Sequence, residues 1–160
     1  MKSIIIYATR YGCAAEVAKR IQKGLESDCK LVNIMTEKVP PLDSFDTVIL
    51  GGSIYMGKVQ KELTSFSNAS LKQLLSKNVG LFLCAGTPKQ EDRDKELQGA
   101  FPSELLDHAA AKDVLGYALR FEKMKFFDKL IMKKIKGDAI STSEYYDKRI
   151  SLFVKALSAK

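Results

Sequence analysis

Four short runs of the chain are apolar without a break: residues 3–7 (SIIIY), 47–50 (TVIL), 79–83 (VGLFL) and 114–119 (VLGYAL). A strand with one face in water alternates apolar with polar. An unbroken apolar run suits a strand covered on both faces, as in a parallel sheet. A fifth, weaker run at 30–34 (KLVNI) does alternate, as an edge strand does. Between the runs the period changes to that of a helix. Ala14, Val17, Ala18, Ile21 and Leu25 fall on one helical face. So do Leu63, Phe66, Leu71, Leu74 and Leu75, although residues 67–70 weaken that helix. A shorter helix is predicted after Pro88, and Pro102 breaks it and starts another turn. A last helix is predicted over about 143–157, with Ile150, Phe153, Val154 and Leu157 facing inward. Strand alternating with helix predicts a doubly wound α/β sandwich with helices on both faces. No repeat, low-complexity stretch or linker interrupts the pattern, so residues 1–160 read as one domain.

Composition narrows the function. The apolar share of 46% is enough for a core. No apolar stretch approaches the length of a membrane-spanning helix, and no small-residue cleavage site follows the short apolar start. A cytoplasmic setting is expected. Cys13, Cys29 and Cys84 are odd in number, far apart in sequence and form no CxxC pair, which suggests neither a disulfide framework nor a zinc site. His108, the one histidine, is expected to be a solvated residue near a helix end. No carboxylate pair or Ser-His-Asp set is visible, so no catalytic residue is assigned. The net charge of +7 favours an anionic membrane surface or an acidic protein as partner. No RNP1 or C2H2 signature points to nucleic acid.

In an open α/β sheet, ligands bind beyond the carboxyl ends of the strands, where the strand order reverses. Three loops fall there. The first, Ala8-Thr9-Arg10-Tyr11-Gly12-Cys13-Ala14, joins a buried strand to the first helix. A tight turn at that point aims backbone N–H groups outward, with the positive end of the helix dipole behind them, which makes an anion site. Gly12 permits positive φ or close approach, Thr9 offers a hydroxyl and Arg10 a cationic fork. A Walker loop (GxxxxGK[ST]) and a Rossmann fingerprint (GxGxxG) are both absent. The arginine that a thiol phosphatase needs six positions after its cysteine is Lys19. An ordinary strand-to-helix turn with one glycine gives the same pattern. The second loop, Gly51-Gly52-Ser53-Ile54-Tyr55-Met56-Gly57, sets three glycines around an aromatic, which suits a flat heteroaromatic ring. Tyr55 also fits a plain surface tyrosine. The third loop is Ala85-Gly86-Thr87-Pro88-Lys89.

Tyr7-Ala8-Thr9-Arg10-Tyr11-Gly12-Cys13-Ala14-Ala15-Glu16 resembles the phosphate loop of flavodoxins, S/T-x-T-G-x-T. Residues 52–57 resemble their first ring-binding loop, and the element order is similar over nearly the whole chain. The resemblance implies a five-stranded parallel sheet of order 2-1-3-4-5 and non-covalent FMN. It assigns the phosphate to Thr9, Arg10, Tyr11, Gly12, Cys13 and Ala14. It assigns the ring to Ser53, Ile54, Tyr55, Met56 and Gly57 on one side and Ala85, Gly86 and Thr87 on the other. Cys13 is expected to serve through its backbone N–H. Ala14 stands where the family has a threonine, and the third loop carries no aromatic to stack on the flavin.

Late in the chain, Gly116-Tyr117-Ala118-Leu119-Arg120-Phe121 and residues 126–137 resemble the basic insert of the menaquinone-dependent protoporphyrinogen IX dehydrogenases, flavodoxin-like enzymes of heme synthesis. The Thr-Arg-x-Gly form of the first loop is similar to that subgroup as well. The stretch after the insert is shorter than theirs and lacks their tryptophan. The resemblance implies a flavin-dependent dehydrogenase with a quinone acceptor; a soluble electron carrier without its own substrate is the alternative. Residues 120–136 hold seven basic residues (Arg120, Lys123, Lys125, Lys129, Lys133, Lys134 and Lys136) against Glu122 and Asp128. Phe121, Met124, Phe127, Ile131 and Ile135 form one helical stripe there, so an extra basic amphipathic helix is expected after the fifth strand. Such a helix can lie in a membrane interface, each lysine adding about 1 kcal/mol on an anionic leaflet. That predicts a peripheral position at the inner face of the membrane, or docking on a redox protein. An ordinary helix packed on the sheet with solvated lysines fits the same pattern.

Overall fold

The computed structural model describes residues 2–55, 57–86, 89–119, 130, 134 and 142–159. In chain order the elements are β1 (Lys2–Tyr7), α1 (Cys13–Gly24), β2 (Asp28–Asn33), a 3-10 turn (Leu42–Ser44), β3 (Thr47–Ser53), α2 (Lys61–Ala69), α3 (Leu71–Leu74), β4 (Asn78–Cys84), α4 (Gln90–Ala100), α5 (Ser103–His108), β5 (Ala111–Leu119), β6 (Thr142–Tyr145) and α6 (Asp147–Ser158).

The unbroken apolar runs are explained by burial from two sides. Ile4, Ile5 and Ile6 of β1 are all fully buried. Side chains alternate along a strand, so Ile4 and Ile6 join Val48, Leu50, Leu81 and Leu83 on one face. Ile5 joins Ile49 and Phe82 on the other. The first face is covered by Leu63, Leu74, Leu97 and Leu105 from α2 to α5. The second is covered by Ala14, Val17, Ala18 and Ile21 of α1 and by Ile150, Phe153 and Leu157 of α6. β2 is an edge strand, and of its residues only Val32 is fully buried. Pro102 stands between α4 and α5, and the serines at 67 and 70 lie where α2 gives way to α3.

Three expectations change. The sheet has six strands, in the order β2-β1-β3-β4-β5-β6. Five are parallel in the expected 2-1-3-4-5 order, and β6 adds antiparallel to β5, with Gly116 opposite Tyr145 and Leu119 opposite Thr142. Residues 143–145 are therefore strand, and the last helix begins at Asp147. The helical period of Ile150, Phe153 and Leu157 belongs to α6 and does not extend back past Tyr146, whose amide donates to the Leu115 carbonyl at 3.0 Å. His108 is also not a plain solvated side chain. Its Nε2 donates to the Lys77 carbonyl at 2.7 Å in a half-buried position. The basic helix expected over 120–136 lies outside the described residues, except for Leu130 and Lys134, which are exposed. Among the described residues no helix is long and apolar enough to cross a membrane.

Candidate functional site

The order reversal lies between β1, whose chain continues to β2 on one side, and β3 on its other side. The carboxyl ends of β1, β3 and β4 carry the three loops. In the first, Ala8 is buried and its amide donates to the Gly51 carbonyl at 2.9 Å, holding loop one against β3. The Gly12 amide donates to Thr9 Oγ1 at 2.8 Å, closing a tight turn. Gly12 itself has φ 97° and ψ −5°, a left-handed conformation that side chains resist. The first helical bond of α1 runs from the Glu16 amide to the Gly12 carbonyl at 3.1 Å. The amides of Cys13, Ala14 and Ala15 precede that ladder, so they face the open end of the helix, where its positive dipole lies. Thr9 thus shapes the turn, and the free amides at the start of α1 are the groups that suit an anion.

Arg10, expected at the phosphate, lies against two tyrosines. Its guanidinium lies 4.3 Å from the Tyr55 ring centroid and 5.6 Å from that of Tyr11. Its Nε donates to the Tyr11 hydroxyl at 3.2 Å. Tyr11 and Tyr55 meet edge-on at 6.5 Å between centroids. Loops one and two are therefore joined by a cation held between two tyrosines, a contact worth about 0.5–1 kcal/mol at an exposed site.

The second loop is shorter than its sequence suggests. Gly51 and Gly52 belong to β3, and packing demands them: a Cβ on Gly51 would fall 2.0 Å from the Phe82 ring. The loop proper starts after Ser53, whose amide donates to Gln60 Oε1 at 3.0 Å. Among the described residues the Ser53 hydroxyl is buried without a hydrogen-bond partner. The Ile54 amide donates to the Cys84 carbonyl at 2.8 Å, tying this loop to the end of β4. Tyr55 and Lys58 exchange backbone hydrogen bonds at 2.9 and 3.1 Å around a tight turn, in which Gly57 has φ 77°. A positive φ at that position is what turns of this size ask of glycine. Met56 and Thr87 lie outside the described residues.

At the third loop, the buried Ala85 donates its amide to the Gly116 carbonyl at 3.0 Å. Gly86 lies against an aromatic after all. The ring of Tyr117, from β5, sits where a Cβ on Gly86 would be only 2.7 Å from its Cε2. Sequence reasoning did not bring Tyr117 to the third loop. Its signal is register: Gly116 pairs with Cys84, so Tyr117 is the first β5 residue beyond the end of β4.

Cys13 is likewise more than a donor of its amide. It opens α1 with its side chain buried in the same core cluster as Cys84. Burial, and then Cys13, hold the Cys84 thiol well above its ordinary pKa. Tyr7, at the end of β1, has its hydroxyl pushed up by partial burial and then by Glu37. A separate groove of about 960 Å³ runs between α1 and α6, lined by Lys19, Arg20, Lys23, Lys148 and Lys155 among others. It lies on a helix-covered face rather than at the strand ends, and Arg20 bridges it to Asp147 at 2.7 Å.

A model of the flavodoxin domain matches residues 4–145. The fold is similar to oxidised flavodoxin 1 from Bacillus cereus, at 16% identity and a TM-score of 0.55 over 99% of this chain and 98% of that one. A WrbA-like flavodoxin from Agrobacterium tumefaciens gives 18% and 0.56 over 99% and 96%. A mutant of the Fusobacterium nucleatum flavodoxin, bound to flavin mononucleotide, gives 16% and 0.52 over 99% and 96%. At these identities the likeness is one of fold. No curated protein matches the chain.

Proposed function

We propose, from the premise that the chain belongs to the flavodoxin-domain family, that it binds FMN across its three loops and works as a flavin-dependent redox protein. The observation that carries this reading is the coincidence, at one end of the sheet, of an anion cradle and an aromatic cleft. The amides of Cys13, Ala14 and Ala15 at the helix start suit a phosphate, which needs several N–H donors and gains from the helix dipole. The buried, partnerless hydroxyl of Ser53 suits a polar ligand atom, because an unmet hydroxyl there costs about 1–3 kcal/mol. Tyr55 and Tyr117 suit the two margins of a flat ring, and Gly86 leaves room for its approach. The residues present therefore fit FMN.

When bound, the flavin supplies reversible uptake and release of electrons; the protein supplies placement and field. The amides at the start of α1 hold the phosphate end. Tyr55, Tyr117 and the walls of loops two and three keep water from the ring. Arg10, held beside Tyr55, would place a positive charge near a bound flavin and so would favour its reduction by Coulomb's law. The same site supports a finer reading, a dehydrogenase that passes electrons from a reduced substrate such as a porphyrinogen to a quinone. β5 ends at Leu119 on this side of the sheet, and the basic stretch follows it in sequence. Its lysines and apolar stripe suit an anionic membrane in which quinones dissolve.

The test has two stages. Purified protein titrated with FMN should quench flavin fluorescence and gain thermal stability; neither change would end the cofactor reading. The loaded protein is then given protoporphyrinogen IX with a menaquinone analogue. Turnover supports the dehydrogenase. Reduction and reoxidation of the flavin by redox proteins, without porphyrin formed, leaves the electron carrier.

A further inference from the structure

The groove of about 960 Å³ between α1 and α6 has no part in the proposed cofactor site. Arg20 meets Asp147 and Gly24 faces Val154, so the two helices run side by side in the same sense. A Cβ on Gly24 would lie 3.2 Å from Val154 Cγ2, so glycine lets them close together at that end. Arg20 also binds Glu16 at 3.0 Å, and so occupies two of the three carboxylates that line the groove. Lys19, Lys23, Lys148 and Lys155 are exposed along it, and among the described residues none of them has a carboxylate partner. Lys19 and Lys23 are four apart on α1, where like charges repel. Lys148 stands in the first turn of α6, at the positive end of that helix's dipole. An anionic partner relieves both. Leu152 lies between Lys148 and Lys155 on one face of α6 and is 63% exposed, while Ile150, Phe153 and Leu157 are buried. It also borders a second hollow of about 330 Å³, lined by Ala109, Ala110 and Ala156. The leucine is thus a ridge between two hollows, with cations around it.

We propose that this groove docks an acidic amphipathic helix of a partner protein, with its carboxylates on the lysines and its apolar stripe on Leu152. The shape favours a rod. Residues 16–24 of α1 rise about 13 Å and α6 about 18 Å, room for about two to three turns of a third helix. A bilayer is flat and meets ridges rather than hollows. An apolar centre inside a polar rim is the anatomy of a protein interface. The chain's own candidates fit poorly. Residues 120–136 carry seven basic side chains against two acidic, so like charge keeps that stretch away. In a second copy the acidic helix is α4, with Glu91, Asp92, Asp94 and Glu96. Its exposed residues are all polar or glycine, and none of them covers Leu152. The groove lies away from the three loops, so the docking stands whether or not FMN binds.

The experiment uses the full chain and, as probe, a dye-labelled synthetic helix of about 16 residues with leucines at helical spacing flanked by glutamates. Fluorescence anisotropy should show saturable binding that weakens with salt. Scrambling the peptide, or changing its glutamates to glutamines, should weaken binding at least about fivefold. Lys148→Glu with Lys155→Glu should weaken it at least about tenfold, and Leu152→Ser at least about threefold. Lys72→Glu with Lys95→Glu makes the same change in net charge, on exposed positions of α3 and α4 across the sheet, and should have little effect. Carbodiimide cross-links from the peptide should map to Lys19, Lys23, Lys148 or Lys155, which decides the site even where a variant fails to fold. FMN titration should give the same result for the parent and the groove pair, so failure of the docking and failure of the cofactor reading are told apart. Equal losses in the two charge-reversed pairs, no loss in the groove pair, or cross-links only elsewhere would overturn the docking. Two other outcomes overturn it in favour of another occupant. Binding to vesicles of equal parts phosphatidylcholine and phosphatidylglycerol that the groove pair abolishes, with peptide binding unchanged, gives the face to a membrane. Self-association in sedimentation that the groove pair abolishes gives it to a second copy.

Discussion

Gly12→Ala tests the anion cradle at its hinge. Gly12 holds φ 97° and ψ −5°, beyond the usual left-handed well near +57°, just before the first turn of α1. A Cβ in the left-handed region costs about 1–2 kcal/mol. For a chain of this size 1 kcal/mol moves the midpoint by about 2–4 °C, so an alanine held in the native conformation should lower the melting temperature by about 2–8 °C. The alternative is for the backbone to flip to negative φ and escape the strain. The Gly12 amide then leaves Thr9 Oγ1, and the amides of Cys13 and Ala14 turn away from their common target. A charge-assisted hydrogen bond is worth about 1.5–3 kcal/mol. Losing one costs about one to two orders of magnitude in FMN affinity.

The variant must therefore lose stability, affinity, or both. Thermal melts and FMN titrations on the same preparation separate the cases. Gly99→Ala is the internal control. Gly99 is exposed within α4, and a Cβ added there would meet nothing within 4 Å, so alanine should stabilise by about 0.5–1 kcal/mol and leave FMN binding alone. A Gly12→Ala protein that matches the parent in both melting temperature and affinity would show that the turn is not strained and its amides are not the cradle.

Three further perturbations follow from the same geometry. Gly86→Ala should displace the Tyr117 ring and weaken FMN binding several-fold with little change in the melting temperature of the cofactor-free protein; unchanged affinity would remove Tyr117 from the site. Arg10→Gln should make the flavin potential more negative by an amount on the order of tens of millivolts, since a cation beside the ring favours added negative charge, and potentiometry at two ionic strengths would show the gap shrink with salt; an equal or higher potential would refute that role. Cys29 has its thiol pushed up to about 11, first by burial and then by Asp28. The thiolate is the reactive form, so its alkylation rate should climb about tenfold per pH unit from about 8 to about 10, and a plateau by about pH 9.5 would contradict the shift.

Which parts of this molecule could be read from sequence follows from what local pattern encodes. The five parallel strands were legible because burial on both faces leaves an unbroken apolar run, as at Ile4, Ile5 and Ile6. The first loop was legible because a lone glycine between such a strand and a helical period is a local signal, and Gly12 indeed has positive φ. The second loop was misjudged at its start, since Gly51 answers to Phe82, distant in sequence but adjacent in the sheet. β6 was hidden because Ser143, Glu144 and Tyr145 carry no apolar alternation; their strand is dictated by the edge of β5. The meeting of Gly86 with Tyr117 depends on register between strands, which no window of sequence contains.

The strand that local pattern hid also shapes the site. β5 pairs with β4 only as far as Gly116 opposite Cys84, and Tyr117, Ala118 and Leu119 run on past the end of β4. Unsupported, those residues would be a frayed strand end, and Tyr117 would have no fixed place. β6 pairs with all three, and Tyr145 fills the space above Gly116, where a Cβ would lie 3.1 Å from its Cδ1. Arg20 of α1 in turn lies 4.3 Å from the Tyr145 ring centroid and binds Asp147 at the start of α6. The antiparallel strand thus extends the sheet edge, and that extension holds the aromatic against Gly86. A third loop without its own aromatic thus has one beside it, because the neighbouring strand brings Tyr117 there.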